Sequence, residues 1–555
     1  MKGKFRGKKI AFVILLLTII SLICTGVIVM NLIKDTAAKE TRLWFFEESI
    51  QTGQPVVLKN AYIISNEKDT LTFLYDYKTY EVAGNLSQEF TGVADVHING
   101  EKVAKISAKP NGVEGILQSY TEGELTLKDH GTEQKTLSLP IYQVVDGEIK
   151  QREWTHIIIG VSNIECIMEK GIVCGIVLKE DVLPSDIRVL MKNKDSVFHP
   201  QVYIKKQSDN SIININAYMG DSKITRYTLE DTKGLVVCDS KGDALEEVFE
   251  GKLHFYMEPQ GIVMVNEVPM ETYLKYVLPS EMPRTFGEEA LKAQAVCART
   301  YAYVHITNQS YAKYGANIDN TTSFQAYHNT HRTKETDAAV ESTKGEVVTC
   351  NGELISCYYF STSPGVTNNI TSWGGGSSDY LACTGFEFSE GLDLTKDSDF
   401  SRFMTQQVVS FDAVSGYYRW KAVLDISAVR DKEKGALENV SVKRRNEAGY
   451  ITELELTYQN KTETLRKESD IRKVLGKYLQ EVILQNEQVR TDLTILPSAC
   501  FEVLVNADGQ LVLRGGGNGH GIGMSQYGAR GMAEKGYSYK EILDYYYQNV
   551  VVKKL

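Results

Sequence analysis

The chain has 555 residues, too long for one ordinary domain, and its 43% hydrophobic and 24% charged content is that of a folded globular protein rather than a disordered one. The 61 basic and 71 acidic residues leave a formal charge of -10, which excludes long-range attraction to nucleic acid.

At the N-terminus, Lys2, Lys4, Arg6, Lys8 and Lys9 precede an uncharged run from Ile10 to Ile33. That run is long enough to cross a bilayer as a helix and longer than the apolar stretch of a secretory signal. The reading is a basic cytoplasmic flank over 1–9 and a single-pass anchor over 10–33. The bulk of the chain then lies outside the cytoplasm. Cleavage near Thr36-Ala37-Ala38 is the alternative, and it also places the protein outside.

Residues 43–185 read as a β-rich accessory domain. Val56-Val57-Leu58, Thr70–Tyr75 and His156–Ile159 are β-prone runs between Gly, Asn and Asp turns, and no catalytic constellation falls among them. More short strands follow from Ile187, then helical patterns over 270–280 and 287–308, then mixed structure to the end. The class is α+β, β-dominated.

Nine cysteines include Cys24 inside the apolar run, and their spacing lacks the density of a disulfide scaffold. Glu346 to Tyr359 reads as a hairpin about Asn351-Gly352. In that register Cys350 faces Glu353 and Cys357 faces Glu346, too far apart to be bridged. No cysteine or histidine spacing suggests a metal.

The segment from Val265 carries the chemistry. Pro279 and Pro283 are expected to hold Ser280-Glu281-Met282 on a rigid loop, outside any regular helix. Beside Leu278 and Met282 the Glu281 carboxyl loses hydration, which raises its pKa and fits a general acid. In the next helix Leu291, Ala295, Ala298 and Ala302 form a small stripe for close packing. Lys292, Arg299 and Tyr303 share another face. Further on, Ser361-Thr362-Ser363 offers hydroxyls but is no GxSxG elbow. Gly519-His520-Gly521-Ile522-Gly523 lacks the third glycine of a dinucleotide loop and the lysine of a P-loop. Its glycines are expected to bring backbone close to a ligand. His520 is either a donor to that ligand or bonded inside the turn.

Several blocks occur in a fixed order: PSEMP (279–283), ALKAQAVCARTYAY (290–303), TTSFQAY (321–327), TKGEVV (343–348), YFSTSPGVT (359–367), WGG (373–375), DYL (379–381), YYRW (417–420) and GHGIGMSQYGARGMAEKG (519–536), closed by ILDYYY (542–547). In this the chain resembles the stage II sporulation protein D family, also called the amidase-enhancer family, over about 186–549. The resemblance implies a peptidoglycan lytic transglycosylase. Glu281 would be its single catalytic acid/base, acting on peptide-stripped glycan strands and leaving 1,6-anhydro ends. It also implies substrate contacts from Lys292, Arg299, Tyr303, Gln325, Ser361, Ser363, Trp373, His520, Ser525 and Gln526. Some members bind zinc through cysteine and histidine. The corresponding positions here are Ala312, Ile318, Ser323 and Phe324, so neither metal nor cofactor is expected. The alternative is a non-catalytic glycan-binding enhancer of a cell-wall amidase. Partners would then be glycan strands, such an amidase and envelope membrane proteins. Residues 1–185 lie outside the resemblance.

Overall fold

The structure, a computed structural model, describes residues 56–555 apart from 68, 84–88, 100–101, 146, 180–183, 309, 328–330, 375, 386–390, 407–409, 428–429 and 507–509. The expected membrane anchor, 10–33, lies outside the described residues. Among the described residues no helix is long and apolar enough to cross a membrane. The chain divides into two units, one ending at Val182 and the other spanning Leu183–Leu555.

The described part of the first unit is built from strands, without an α-helix. Five strands form one sheet and seven another. The Thr70–Tyr75 strand explains how they pack. Its side chains alternate, so Leu71 and Phe73 join a core with Val96 and Ile98 while Leu74 points the other way. There Leu74, Tyr62 and Val93 meet Tyr142, Ile167, Cys174 and Val177 of the second sheet.

The second unit is α+β and β-dominated, and all eight α-helices among the described residues fall in it. They are α1 (Ile215–Ser222), α2 (Met270–Glu281), α3 (Glu288–His305), α4 (Lys334–Ser342), α5 (Asp397–Thr405), α6 (Glu468–Gly476), α7 (Gln526–Glu534) and α8 (Tyr539–Tyr546). Strand Gly261–Pro269 runs straight into α2 from a five-stranded sheet. Towards the C-terminal end, two further sheets and α6 close over a core containing Trp420, Leu454, Leu456, Ile471 and Leu513.

Two expectations need correction. Glu281 is not on a loop: it is the last residue of α2, and Pro279 sits inside the helix's final turn. Burial of Met270, Tyr273, Leu274, Val277 and Leu278 on one helical face outweighs the proline. Those side chains contribute about 1.5–3 kcal/mol each. With only two helical residues after it, Pro279 costs little more than one backbone bond, and the Ser280 hydroxyl caps the Tyr276 carbonyl at 3.0 Å. Pro283 does stop the helix, because Met282 before it is extended (φ -137°, ψ 127°).

The hairpin is likewise right only at its tip. Asn351 and Gly352 both have positive φ, 52° and 90°, and Cys350 does face Glu353. The return strand ends at Leu354, however, and Glu346 pairs with Lys554 instead of Cys357. The edge of Glu346–Cys350 is claimed by the C-terminal strand Val550–Lys554. All eight described cysteines are free thiols.

Helix α3 is the axle of this unit. Leu291, Ala295, Ala298 and Ala302 are buried as the stripe predicts, and the helix packs against α2, α4, α7, α8 and the Glu346–Cys350 strand. Its Arg299 is fully buried. Nε and Nη2 donate to the Glu271 carboxylate at 2.9 and 2.6 Å, and Nη1 donates to the Glu346 carbonyl at 3.1 Å. Glu271 also accepts from the Gly345 N–H at 3.1 Å. One guanidinium therefore ties α2, α3 and the strand together, using fork geometry that lysine lacks. Arg299→Ala is expected to destabilise the fold by about 3 kcal/mol, because Glu271 keeps its charge and loses its partner. Denaturant unfolding followed by tryptophan fluorescence measures this, and an unchanged midpoint would show that the pair is not the staple.

Candidate active site

Glu281 lies where α2 ends, and its carboxylate lines a cavity of about 530 Å³. The other walls include Tyr301 of α3, Thr322, Ser323 and Phe324, the segment Tyr358–Ser361, Trp373, the Gly519-His520 loop and Gln526. Among the described residues no other carboxylate and no lysine or arginine lines the cavity.

The carboxyl is held by a chain of donors whose directions can be worked out. Its Oε1 accepts from the Ala326 N–H at 2.8 Å, and the Tyr359 hydroxyl bonds the same carboxyl group. Tyr359 Oη in turn accepts from Gln325 Nε2 at 3.3 Å. That amide nitrogen also donates to the Ala298 carbonyl at 3.2 Å, while Gln325 Oε1 accepts from the Tyr273 hydroxyl at 3.0 Å. The Gln325 amide is thus oriented with nitrogen towards Tyr359. With its lone pair engaged, Tyr359 is left to donate its own proton to Glu281. Burial pushes the Glu281 pKa up, while the Ala326 N–H and the Tyr359 hydroxyl pull it partly back.

His520 has both ring nitrogens committed. Nδ1 accepts from the Ile522 N–H at 3.1 Å, so Nε2 carries the proton and donates to the Tyr359 carbonyl at 3.1 Å. Burial lowers its pKa to about 4, and it is neutral near pH 7. It is therefore the turn-bonded histidine of the two alternatives; it lines the cavity, and its ring centroid is 5.0 Å from that of Trp373. The glycines around it serve the protein's own chain. A Cβ on Gly523 would stand 2.0 Å from the Tyr358 carbonyl, where strand Met524–Ser525 pairs with Tyr359–Phe360.

Of the sequence candidates, Glu281, Ser361, Trp373, His520 and Gln526 come together in the cavity wall. Gln526 also donates to the Glu281 carbonyl at 2.9 Å, tying α7 to the end of α2. Gln325 stands behind the wall as the anchor of Tyr359. The others are elsewhere. Lys292 pairs with Glu288 and Glu289 at 2.6 and 2.8 Å, Arg299 is enclosed by Glu271, and Tyr303 lies by that pair. None of the three lines the cavity, and glutamates on the same and neighbouring helices pair with both cations.

Ser363 and Ser525 do not line the cavity either; both are buried around Asp412, which sequence reading missed. Asp412 accepts from the Ser363 N–H at 2.7 Å, from its hydroxyl at 2.8 Å and from the Ser525 hydroxyl. Ser525 also caps α7 through the Gly528 N–H at 3.2 Å. Tyr301, Tyr358 and Tyr359 were missed as well. Tyr301 and Tyr359 stood inside quoted blocks, and no periodicity marks which of 31 tyrosines face a cavity. Among the described residues no group of three or more His, Cys, Asp or Glu is placed to hold a metal. Ser323 and Phe324, two of the positions at which the resemblance led to a search for zinc ligands, line the cavity.

A family model described as stage II sporulation protein matches residues 258–350, the stretch from before α2 into the Glu346–Cys350 strand. The stage II sporulation protein D of Bacillus subtilis (strain 168) is 31% identical over 52% of this chain and 76% of its own length. The chain belongs to the stage II sporulation protein D family. The family protein of Bacillus amyloliquefaciens is 28% identical over 60% of this chain and 85% of that protein. The amidase enhancer of Bacillus subtilis (strain 168) is 31% identical over 49% of this chain, but the match spans only 39% of that protein.

Two predictions follow from the site. Tyr359→Phe removes a donor to the carboxylate, so the Glu281 pKa rises further; a pH–rate profile should show its alkaline limb displaced to higher pH, and an unmoved limb would remove Tyr359 from the cradle. Burial raises the Asp412 pKa to about 6 despite its three donors. A carboxyl raised on folding contributes stability that is complete below its unfolded pKa and lost as pH rises through the folded one. Relative to Asp412→Asn, whose amide oxygen can still accept from the Ser363 N–H and the Ser525 hydroxyl, the parent should lose about 3 kcal/mol between pH 3 and pH 7. Parallel stability curves for the two proteins would refute this.

Proposed function

We propose that this protein is a peptidoglycan lytic transglycosylase with Glu281 as its acid and base. The observation that carries the reading is the solitary carboxyl. Hydrolytic glycosidases generally pair two carboxylates across the scissile bond, one of them for water or as nucleophile. Among the described residues this cavity contains one, and burial favours its neutral, proton-donating form.

The chemistry fits a substrate that supplies its own nucleophile. Protonated Glu281 gives its proton to the glycosidic oxygen between N-acetylmuramic acid and N-acetylglucosamine. The bond from that oxygen to the anomeric carbon breaks. The muramic acid O6 then bonds the anomeric carbon and passes its proton to the Glu281 carboxylate, which closes a 1,6-anhydro ring and restores the acid. The Ala326 N–H and the Tyr359 hydroxyl hold the carboxylate while it is charged. In this reading the chain sits in the cell membrane through residues 10–33, with both described units outside.

The relative named amidase enhancer favours a second reading, a glycan-binding stimulator of a separate cell-wall amidase. The two separate on one experiment. The detergent-solubilised full chain and its Glu281→Gln variant are incubated with peptide-free glycan strands, and the products are weighed by mass spectrometry. Anhydro ends from the parent, reduced at least about a hundred-fold in the variant, are expected for loss of an acid/base group. Intact strands retained by both proteins would establish the binding role, and reducing ends would mean that water is the nucleophile.

A further inference from the structure

Beside the Glu281 cavity lies another, of about 590 Å³, within the roughly 300–1,000 Å³ of small-molecule sites. Cys350, Asn351, Glu353–Ser356, Tyr358, Ile370 and Gly376–Leu381 line it. Its relation to the first is what matters. Tyr358 borders both cavities. So does the single helical turn Ile370–Trp373, which gives Ile370 to one and Trp373 to the other. The Tyr358 and Trp373 rings meet edge-on at 5.1 Å and form the ridge between the two hollows. Trp373 is 38% exposed there, a large apolar surface left open at the point a ligand filling both cavities would cross.

We propose that this second cavity is a glycan subsite that takes an uncharged N-acetylhexosamine unit of the strand cut at Glu281, an assignment that rests on the transglycosylase reading. Tyr358 and Tyr380 offer rings, and Leu354, Ile355, Ile370 and Leu381 offer apolar faces for sugar C–H groups. Tyr380 is held in place by its hydroxyl, which accepts from the Ser356 N–H at 3.4 Å, and by its carbonyl, which accepts from the Gln548 N–H at 3.3 Å. Among the described residues the only charged side chains lining the cavity are the carboxylates of Glu353 and Asp379. They accept hydroxyl protons and repel anions, so the site favours the N-acetylglucosamine unit of an alternating strand over one with a free lactyl carboxylate.

The test is calorimetric titration of the detergent-solubilised full chain with uncharged N-acetylglucosamine oligomers of graded length, alongside kinetics on peptide-free wall strands of graded length. Binding should tighten with length until both cavities are filled. Tyr380→Ala and Asp379→Ala should each weaken binding of long oligomers about ten-fold and leave short ones unchanged. On wall strands they should raise KM with kcat intact, as loss of ground-state binding does. The Asp379 carboxylate is exposed and its residue is tied down through the backbone carbonyl to Asn549, so that variant keeps the fold. Length-independent affinity, or equal weakening on short and long oligomers, overturns the subsite. Absence of anhydro products from the parent sinks only the transglycosylase reading, because the titration reads the subsite without cleavage.

Discussion

The second unit is organised around one buried ion pair. Arg299 has no solvent to fall back on, so each of its donors must find protein, and the partners it finds belong to α2, the Glu346–Cys350 strand and the turns around α4. That requirement sets the position and rotation of α2 against α3. Glu271, in the first turn of α2, is the residue gripped; Glu281 is the last residue of the same helix. A helix is stiff over that distance, about 15 Å at 1.5 Å per residue. Fixing one end by an ion pair therefore aims the other end's carboxyl into the cavity. The alanines of α3 allow the close approach, and Gln526 of α7 grips the far end through the Glu281 carbonyl.

At that far end two effects oppose each other. Desolvation favours the neutral acid, and the Ala326 N–H and Tyr359 hydroxyl favour the anion. Under the proposed reaction Glu281 gives a proton and takes one back in the same turnover, and so needs both states within reach. Desolvation alone would make a strong proton acceptor that seldom ionises, and donors alone a carboxylate that seldom protonates. Tyr273, Gln325 and the Ala298 carbonyl keep the balance because they leave the Tyr359 proton one direction to go. Gln325 thus affects the chemistry without bordering the cavity.

Much of this was legible in the residues. The Leu291–Ala302 stripe, the turn at Asn351-Gly352 and the desolvated carboxyl of Glu281 follow from period, turn chemistry and apolar neighbours. What misled were features that local rules describe and tertiary packing overrides. Pro279 argued for a loop, yet the buried face of α2 carries the helix past it. Lys292 and Arg299 had the look of free cations because sequence gives no sign of Glu271, distant in the chain, and does not say that Glu288 and Glu289 will fold back on their own helix. Asp412 was invisible because its partners, Ser363 and Ser525, come from segments more than a hundred residues apart along the chain. The glycines of the Gly519–Gly523 loop signalled close approach, and the approaching partners are Phe360 at Gly519, the Tyr450 ring at Gly521 and the Tyr358 backbone at Gly523.

The pairing of those cations outside the cavity lining also makes electrostatic sense. Under the proposed reaction the sugar passes through an oxocarbenium-like transition state carrying positive charge. A guanidinium or ammonium in the cleft would raise that barrier. Here both are neutralised away from the cavity, His520 is kept uncharged by burial, and the walls present Tyr301, Tyr358, Tyr359 and Trp373. Aromatic faces carry the negative side of the ring quadrupole and attract a developing cation without abstracting a proton. One carboxylate among rings, with no fixed positive charge, is a cleft suited to a cationic transition state and poorly suited to an anionic one such as that of acyl or phosphoryl transfer.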